Sequence, residues 1–399
     1  MKRFALEKLK EWKKKANRKP LIIRGSRQVG KTWLMKEFGR TCFEKVAYVN
    51  FDSNTRMQQV FDGEINIERI ILAISAETGI SIDVKDTLLI FDEVQEVPKA
   101  LSSLKYFCEN APEYAIVAAG SLLGVALHKG TSFPVGKVDF MDLYPLTFQE
   151  FLCALGEERF VNILQGTDTD MVTTFKSKYI DRLREYYYVG GMPEVVQTYV
   201  ETKDFNQVRE IQKNLLNYYQ QDFSKHAETS LVPRLNLVWN SIPMQLAKEN
   251  KKYIYGQVRK GSRAKDFELA IQWLLDCGLI HKVQRAGKAA LPLKAYLDLD
   301  VFKIYLLDVG LLMAMTDMDA QVIIDGNRIF TEFKGALTEQ YVLQQLIALD
   351  HIEPYYYSTA NSSGEIDFLL QGRTSIIPLE VKAEENLRAK SLKAFCEKY

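Results

Sequence analysis

The residues with the most chemical content sit early in the chain, at Gly25-Ser26-Arg27-Gln28-Val29-Gly30-Lys31-Thr32. Their spacing is G-x-x-x-x-G-K-[ST], directly after the apolar run Leu21-Ile22-Ile23-Arg24 and before a helical stretch from Trp33 to Phe38. Glycines in such a loop let the backbone curl until several N–H groups converge on phosphate oxygens, and the following helix adds its positive N-terminal end. Lys31 supplies a point charge for the β and γ phosphates, and Thr32 offers a hydroxyl to magnesium. Loop and flanks together imply ATP and Mg as ligands.

A second reactive pair follows the apolar run Thr87-Leu88-Leu89-Ile90-Phe91, at Asp92-Glu93. Carboxylates at the carboxyl end of a buried strand suit two tasks: Asp92 holds magnesium through water, and Glu93 orients and deprotonates an attacking water. Another strand, Ala115-Ile116-Val117-Ala118-Ala119, ends at Gly120-Ser121. Ser121 has two open readings, as a sensor of the γ-phosphate or hydrolytic water, and as a cap for a helix starting at Leu122 and Leu123. With Lys31 and Glu93 it completes the expected catalytic set for nucleoside triphosphate hydrolysis.

The elements that must position these groups follow from periodicity. Phe4, Leu6, Leu9 and Trp12 recur at helical spacing among lysines. Strands are expected at Leu21–Arg24, Val46–Phe51, Thr87–Phe91, Ala115–Ala119 and Lys137–Leu143, alternating with helical stretches, which describes an α/β fold with a parallel sheet covered on both faces. These motifs resemble the AAA-type ATPases, in the branch with a serine-bearing fourth strand and a C-terminal restriction-endonuclease-like domain. The resemblance extends to Pro134-Val135-Gly136-Lys137, to Tyr144-Pro145-Leu146-Thr147-Phe148-Gln149-Glu150-Phe151 and to Tyr187-Tyr188-Val189-Gly190-Gly191-Met192-Pro193-Glu194. It implies a P-loop NTPase sheet of strand order 5-1-4-3-2 followed by a helical lid. Many AAA-type ATPases borrow an arginine from a neighbouring subunit; Lys137, Arg159, Arg182 and Arg184 are candidates for that cation, and none is assigned.

The expected division is an ATPase core at 1–152, a helical lid at 153–225, a winged-helix domain at 226–300 and a nuclease-like domain at 301–399. Tyr186-Tyr187-Tyr188 ahead of Gly190-Gly191 are expected to pack the lid against the sheet, with base stacking as the other use. A helix from Ile242 to Glu249, a link through Tyr253-Ile254, a helix from Ala264 to Cys277 and a strand at Leu279–Val283 resemble a winged helix. Arg259, Lys260, Arg263 and Lys265 stand where phosphate contacts to DNA would be made. The other reading is a connector whose basic residues are simply solvated.

In the last hundred residues Glu339 falls on a helix from Lys334 to Leu349, Asp367 on the strand Gly364–Leu370, and Glu380 and Lys382 on a strand running from Ile376 to Lys382. This resembles the D…ExK signature of restriction-endonuclease-like folds. Alternation on a strand would put Glu380 and Lys382 on one face. Glu339, Asp367 and Glu380 are hard oxygen ligands suited to magnesium, with Lys382 beside the water to be activated. The alternatives are a retained domain that only binds, and ordinary salt bridges. The chain stops at Tyr399 partway through a charged helical segment beginning near Asn386, where such a core would add another strand, so a shortened chain is expected.

Composition sets outer bounds. The 52 basic and 51 acidic residues nearly cancel, so any surface for nucleic acid has to be local. Five cysteines far apart, with no C-x-x-C pair, fit a reducing cytoplasm, and no apolar run approaches the roughly 20 residues needed to cross a bilayer. Two functions are compatible with all of this: an ATPase coupled to a nucleic-acid-related C-terminal domain, and an ATP-dependent signalling or defence switch acting on a protein partner.

Overall fold

A computed structural model describes residues 1–121, 124, 133–248, 251–324, 331–359, 364–383 and 390–399. The chain forms two compact units, Lys2–Tyr144 and Pro145–Tyr399.

The first unit is built on five parallel strands, β1 (Leu21–Arg24), β2 (Lys45–Asn50), β3 (Thr87–Asp92), β4 (Ala115–Ala119) and β5 (Asp139–Asp142). They lie in the order β2-β3-β4-β1-β5, which from the other edge is 5-1-4-3-2, the order implied by the resemblance. Every residue of β3 and β4 is buried, as expected of strands covered on both faces. Ile22, Val49, Phe91, Phe107 and Ile116 belong to one core cluster, and Phe51, Phe61 and Phe91 meet edge to face there. Topology does the positioning: β3, β4 and β1 are neighbours, with Leu89 level with Ile116 and Ile23 level with Ala119. Their carboxyl ends therefore bring Asp92-Glu93, Gly120-Ser121 and the Gly25 loop together, at the edge where open α/β sheets bind ligands.

The second unit opens with a capping box, in which Thr147 and Glu150 exchange hydrogen bonds at the start of helix Phe148–Ala154. The expected core boundary at 152 falls inside this helix. Helices follow at Glu158–Gln165, Lys176–Val189, Pro193–Thr202, Phe205–His226, Val232–Leu246 and Ala264–Asp276. The helix expected from Ile242 begins ten residues earlier, at Val232, because Pro233 suits a first helical turn.

A second five-stranded sheet contains β6 (Ile280–Ala286), β7 (Leu297–Leu306), β8 (Tyr355–Ser358), β9 (Glu365–Gln371) and β10 (Ile376–Leu379), in the order β10-β9-β8-β6-β7. The hairpin of β6 and β7 is antiparallel, while β8 lies parallel to β6 on its other side. This changes two expectations. The boundary at 300 cuts through β7, and the would-be wing is joined by backbone hydrogen bonds to the strands after it. The last strand also ends at Leu379, so Glu380 and Lys382 follow β10 and do not share a strand face.

Tyr186, Tyr187 and Tyr188 are buried, which removes them from base stacking. Tyr186 donates to the Leu146 carbonyl, and Tyr186 and Tyr187 pack on Tyr341 of helix Thr331–Ile347. Among the described residues no helix is long and apolar enough to cross a membrane.

Candidate active site

The helix Lys31–Cys42 has Gly30 at its N-cap in the left-handed region, φ 92°, and no side chain caps it. Its first-turn N–H groups are the orphan donors that a phosphate satisfies. Gly25 has φ +151°, and a Cβ there would lie 2.3 Å from the Leu143 carbonyl oxygen, so the loop can start its turn only at glycine. The Lys31 ammonium donates to the carbonyls of Gly25 and Ser26, both at 2.8 Å, spanning the loop from inside. Burial lowers its pKa to about 8, opposed by the charges of Glu93 and Asp92.

Thr32 Oγ1 donates to Asp92 Oδ2 at 2.7 Å, and the Tyr48 hydroxyl donates to the same oxygen at 3.0 Å. The two expected magnesium residues thus meet, although sixty positions separate them. Glu93 turns in the left-handed region, φ 50°, and its own N–H donates to Asp92 Oδ1 at 3.1 Å. Its carboxylate accepts from Gln95 at 2.7 Å and from the Ser121 hydroxyl at 3.1 Å, and Arg27 Nε donates to that hydroxyl at 3.3 Å. Burial pushes the Glu93 pKa up, but the Gln95 bond, the Lys31 charge and Ser121 outweigh it, and the net shift is downward.

The donor set fits magnesium and a polyphosphate: a hydroxyl beside a buried carboxylate, an ammonium inside the loop, and uncapped N–H groups above it. Leu122 and Leu123, which a capping Ser121 would serve, lie outside the described residues. Ser26, Arg27, Gln28 and Val29 form the loop between the glycines, with Gln28 in the left-handed region at φ 64°. Tyr48, Gln95 and the contact of Arg27 with Ser121 were not anticipated. Gln95 stands two residues after Glu93, but Tyr48 reaches Asp92 only because β2 neighbours β3. Of the candidate transition-state cations, Lys137 pairs with Glu109, Arg182 with Glu157 and Glu185, and Arg184 with Asp181, while Arg159 lies over the Phe160 ring.

The C-terminal residues form a second polar centre. Glu339 is buried on helix Thr331–Ile347, and burial, together with the Glu339 charge, raises the Asp367 pKa to about 7. Asp367 Oδ2 accepts from the Val381 N–H at 2.7 Å, and Lys382 donates to Glu380 Oε1 at 2.5 Å. Four residues of this centre were missed: Lys251, Lys303, Tyr305 and Glu365. Lys251 and Tyr305 donate to Glu339, and Lys303 donates to Glu365 at 2.5 Å. Among the described residues, no group of three or more acidic, histidine or cysteine side chains is arranged to hold a metal ion.

Fold and site together define a P-loop nucleotide-binding domain. Residues 17–152 match the AAA domain family model, and this part of the chain is an AAA-type P-loop domain. Residues 180–322 and 334–399 match two families described as domains of unknown function, DUF8612 and DUF4143. No curated protein matches the chain. Among solved structures, a Walker-type ATPase of Pyrococcus abyssi is similar at 14% identity and TM-score 0.49, covering 78% of this chain and 94% of its own. The Aeropyrum pernix Orc1 protein, solved in complex with DNA, is similar at 12% identity and TM-score 0.30, over 78% of this chain and 91% of its own. Cdc6p from Pyrobaculum aerophilum is similar at 14% identity and TM-score 0.25, over 75% and 87%.

Proposed function

We propose that this protein binds ATP with magnesium at the Gly25–Thr32 loop and hydrolyses it, using the nucleotide cycle to switch the state of its second unit. The observation that carries this reading is the hydrogen bond between Thr32 and Asp92, with Glu93 beside it on Ser121. Magnesium held by Thr32 and Asp92 would draw charge from the phosphate oxygens. Lys31 neutralises the β and γ phosphates. Glu93 orients a water and takes its proton as the water oxygen bonds to the γ-phosphorus and the bond to the β-γ bridging oxygen breaks, releasing ADP and phosphate. Ser121 and Gln95 hold Glu93 until a nucleotide offers Ser121 another acceptor.

A second reading adds DNA as the partner of the second unit. It is favoured by Arg259, Lys260, Arg263 and Lys265, all exposed before and at the start of helix Ala264–Asp276. One measurement separates the readings: magnesium-dependent ATP turnover with and without single- and double-stranded DNA, with Lys31→Ala as the blank. Turnover that vanishes in the variant supports hydrolysis at this loop, and turnover that survives refutes it. A rise with DNA supports the nucleic-acid reading, and indifference to DNA leaves the switch acting on a protein.

A further inference from the structure

The polar centre of the second unit contains cations of its own. On β7, Lys303 and Tyr305 are two residues apart and share the face of the strand that meets Glu339. Lys303 is 0% exposed, and a buried ammonium is tolerated only when paired and hydrogen-bonded. It has both kinds of support: Glu365 Oε1 at 2.5 Å, Glu339 Oε2 at 3.6 Å, and the face of the Tyr356 ring at 4.8 Å.

Both oxygens of Glu339 are committed. Oε1 accepts from the Lys251 ammonium, and Oε2 accepts from the Tyr305 hydroxyl at 3.1 Å with Lys303 close by. Two ammonium groups beside one carboxylate supply the positive charge that one divalent ion would bring, and they would repel such an ion from the same place. What remains is small. Asp367 Oδ2 is engaged by the Val381 N–H and Glu380 Oε1 by Lys382, while Glu380 Oε2 is buried without a hydrogen-bond partner. One oxygen of Asp367 and one of Glu380 remain, and a divalent ion that took them would sit beside the ammonium groups already paired with Glu339.

We propose that Lys303 and Lys251 are the built-in counter-ions of this centre, standing against Glu339, one of the carboxylates that the D…ExK resemblance assigns to a divalent metal. The centre therefore takes up no divalent cation and cleaves no phosphodiester. Its ion pairs instead tie β7, β9, the helix bearing Glu339 and the segment at Lys251 into one body. Glu339, Asp367 and Glu380 consequently do not form the magnesium site expected from their order along the chain.

The test uses the full chain without nucleotide, in a Thr32→Ala background that silences the phosphate loop, and titrates Mn2+ by electron paramagnetic resonance. The expected result is identical Mn2+ uptake with and without Asp367→Asn. A saturable site present in the parent and lost on Asp367→Asn overturns the proposal. Lys303→Met in the same background gives a second readout: a lower melting temperature, raised again by Mg2+ or Mn2+ as a metal replaces the missing ammonium. A Lys303→Met protein as stable as its parent and indifferent to both ions also overturns it. If that variant fails to fold, the parent titration still decides.

Discussion

Replacing Gly25 by alanine should disable the phosphate loop through one contact. The added Cβ would lie 2.3 Å from the Leu143 carbonyl oxygen and 3.2 Å from Val29 Cγ2, at φ +151°. A methyl group and an oxygen sit comfortably at about 3.3 Å, so the strands must part by about 1 Å, and overpacking of this kind costs ~1–3 kcal/mol. Backbone strain at a φ that side-chain-bearing residues avoid adds ~1–3 kcal/mol. The combined penalty is roughly 2–6 kcal/mol, and its middle value is about a thousandfold in an equilibrium constant. If the loop keeps its shape, the penalty appears as lost stability; if the loop gives way, it appears as lost ATP affinity. Urea denaturation and calorimetric titration with ATP on the same protein capture the sum. Gly136→Ala is the control, since φ there is +71° with nothing within 4 Å of the added carbon, and it should cost only ~1–2 kcal/mol. A Gly25→Ala protein that matches the control in both stability and affinity refutes the reasoning.

Glu93→Gln should keep ATP affinity while turnover falls by ~10²–10⁴, the usual worth of a positioned base, as read by steady-state kinetics beside equilibrium binding. Gly191→Ala should cost ~3–5 kcal/mol in urea unfolding, because its Cβ would lie 2.1 Å from the Leu146 oxygen and its N–H already bonds buried Asp308 at 2.6 Å. His281 keeps some surface as a residue, but Nε2 is sealed from solvent, and burial lowers its pKa from 6.5 to about 4. Between those values the unfolded chain binds more protons, so its contribution is intact above pH 6.5 and is lost as pH falls towards 4, by up to about 3 kcal/mol. His281→Phe should flatten that part of the stability curve.

How much of the protein its sequence discloses depends on how local each signal is. The Gly25–Thr32 loop and the Asp92-Glu93 pair are legible because each is a contiguous motif at the end of an apolar strand, and their meeting follows once β1 and β3 share a sheet. Tyr48 was not legible, since its value lies in reaching a carboxylate whose position depends on strand order, and Gln95, though only two residues past Glu93, reaches that carboxylate across the turn Glu93 makes at φ 50°. Lys303 is the clearest case. By residue type alone a lysine reads as a solvated surface charge, yet Lys303 is fully buried because Glu339 and Glu365 lie against it. Three adjacent tyrosines are likewise ambiguous until Tyr341 covers two of them. The same limit applies to the hairpin of β6 and β7: the sequence marks a strand at Leu279–Val283 but leaves Leu297–Leu306 unmarked, and it cannot show that a strand some seventy residues later will pair beside β6.

That pairing shapes how the protein is made. Emerging from the ribosome, β6 finds β7 at once, but its other edge stays open until Tyr356 and Tyr357 arrive to align with Arg285 and Ala286. Until then the Arg285–Ala286 end of β6 offers unpaired backbone groups to any neighbouring chain, the condition under which nascent proteins stick together. Fragments cut at the apparent domain junction near residue 300 should be recovered as aggregates, whereas those that reach beyond β10 carry the strand that closes the edge.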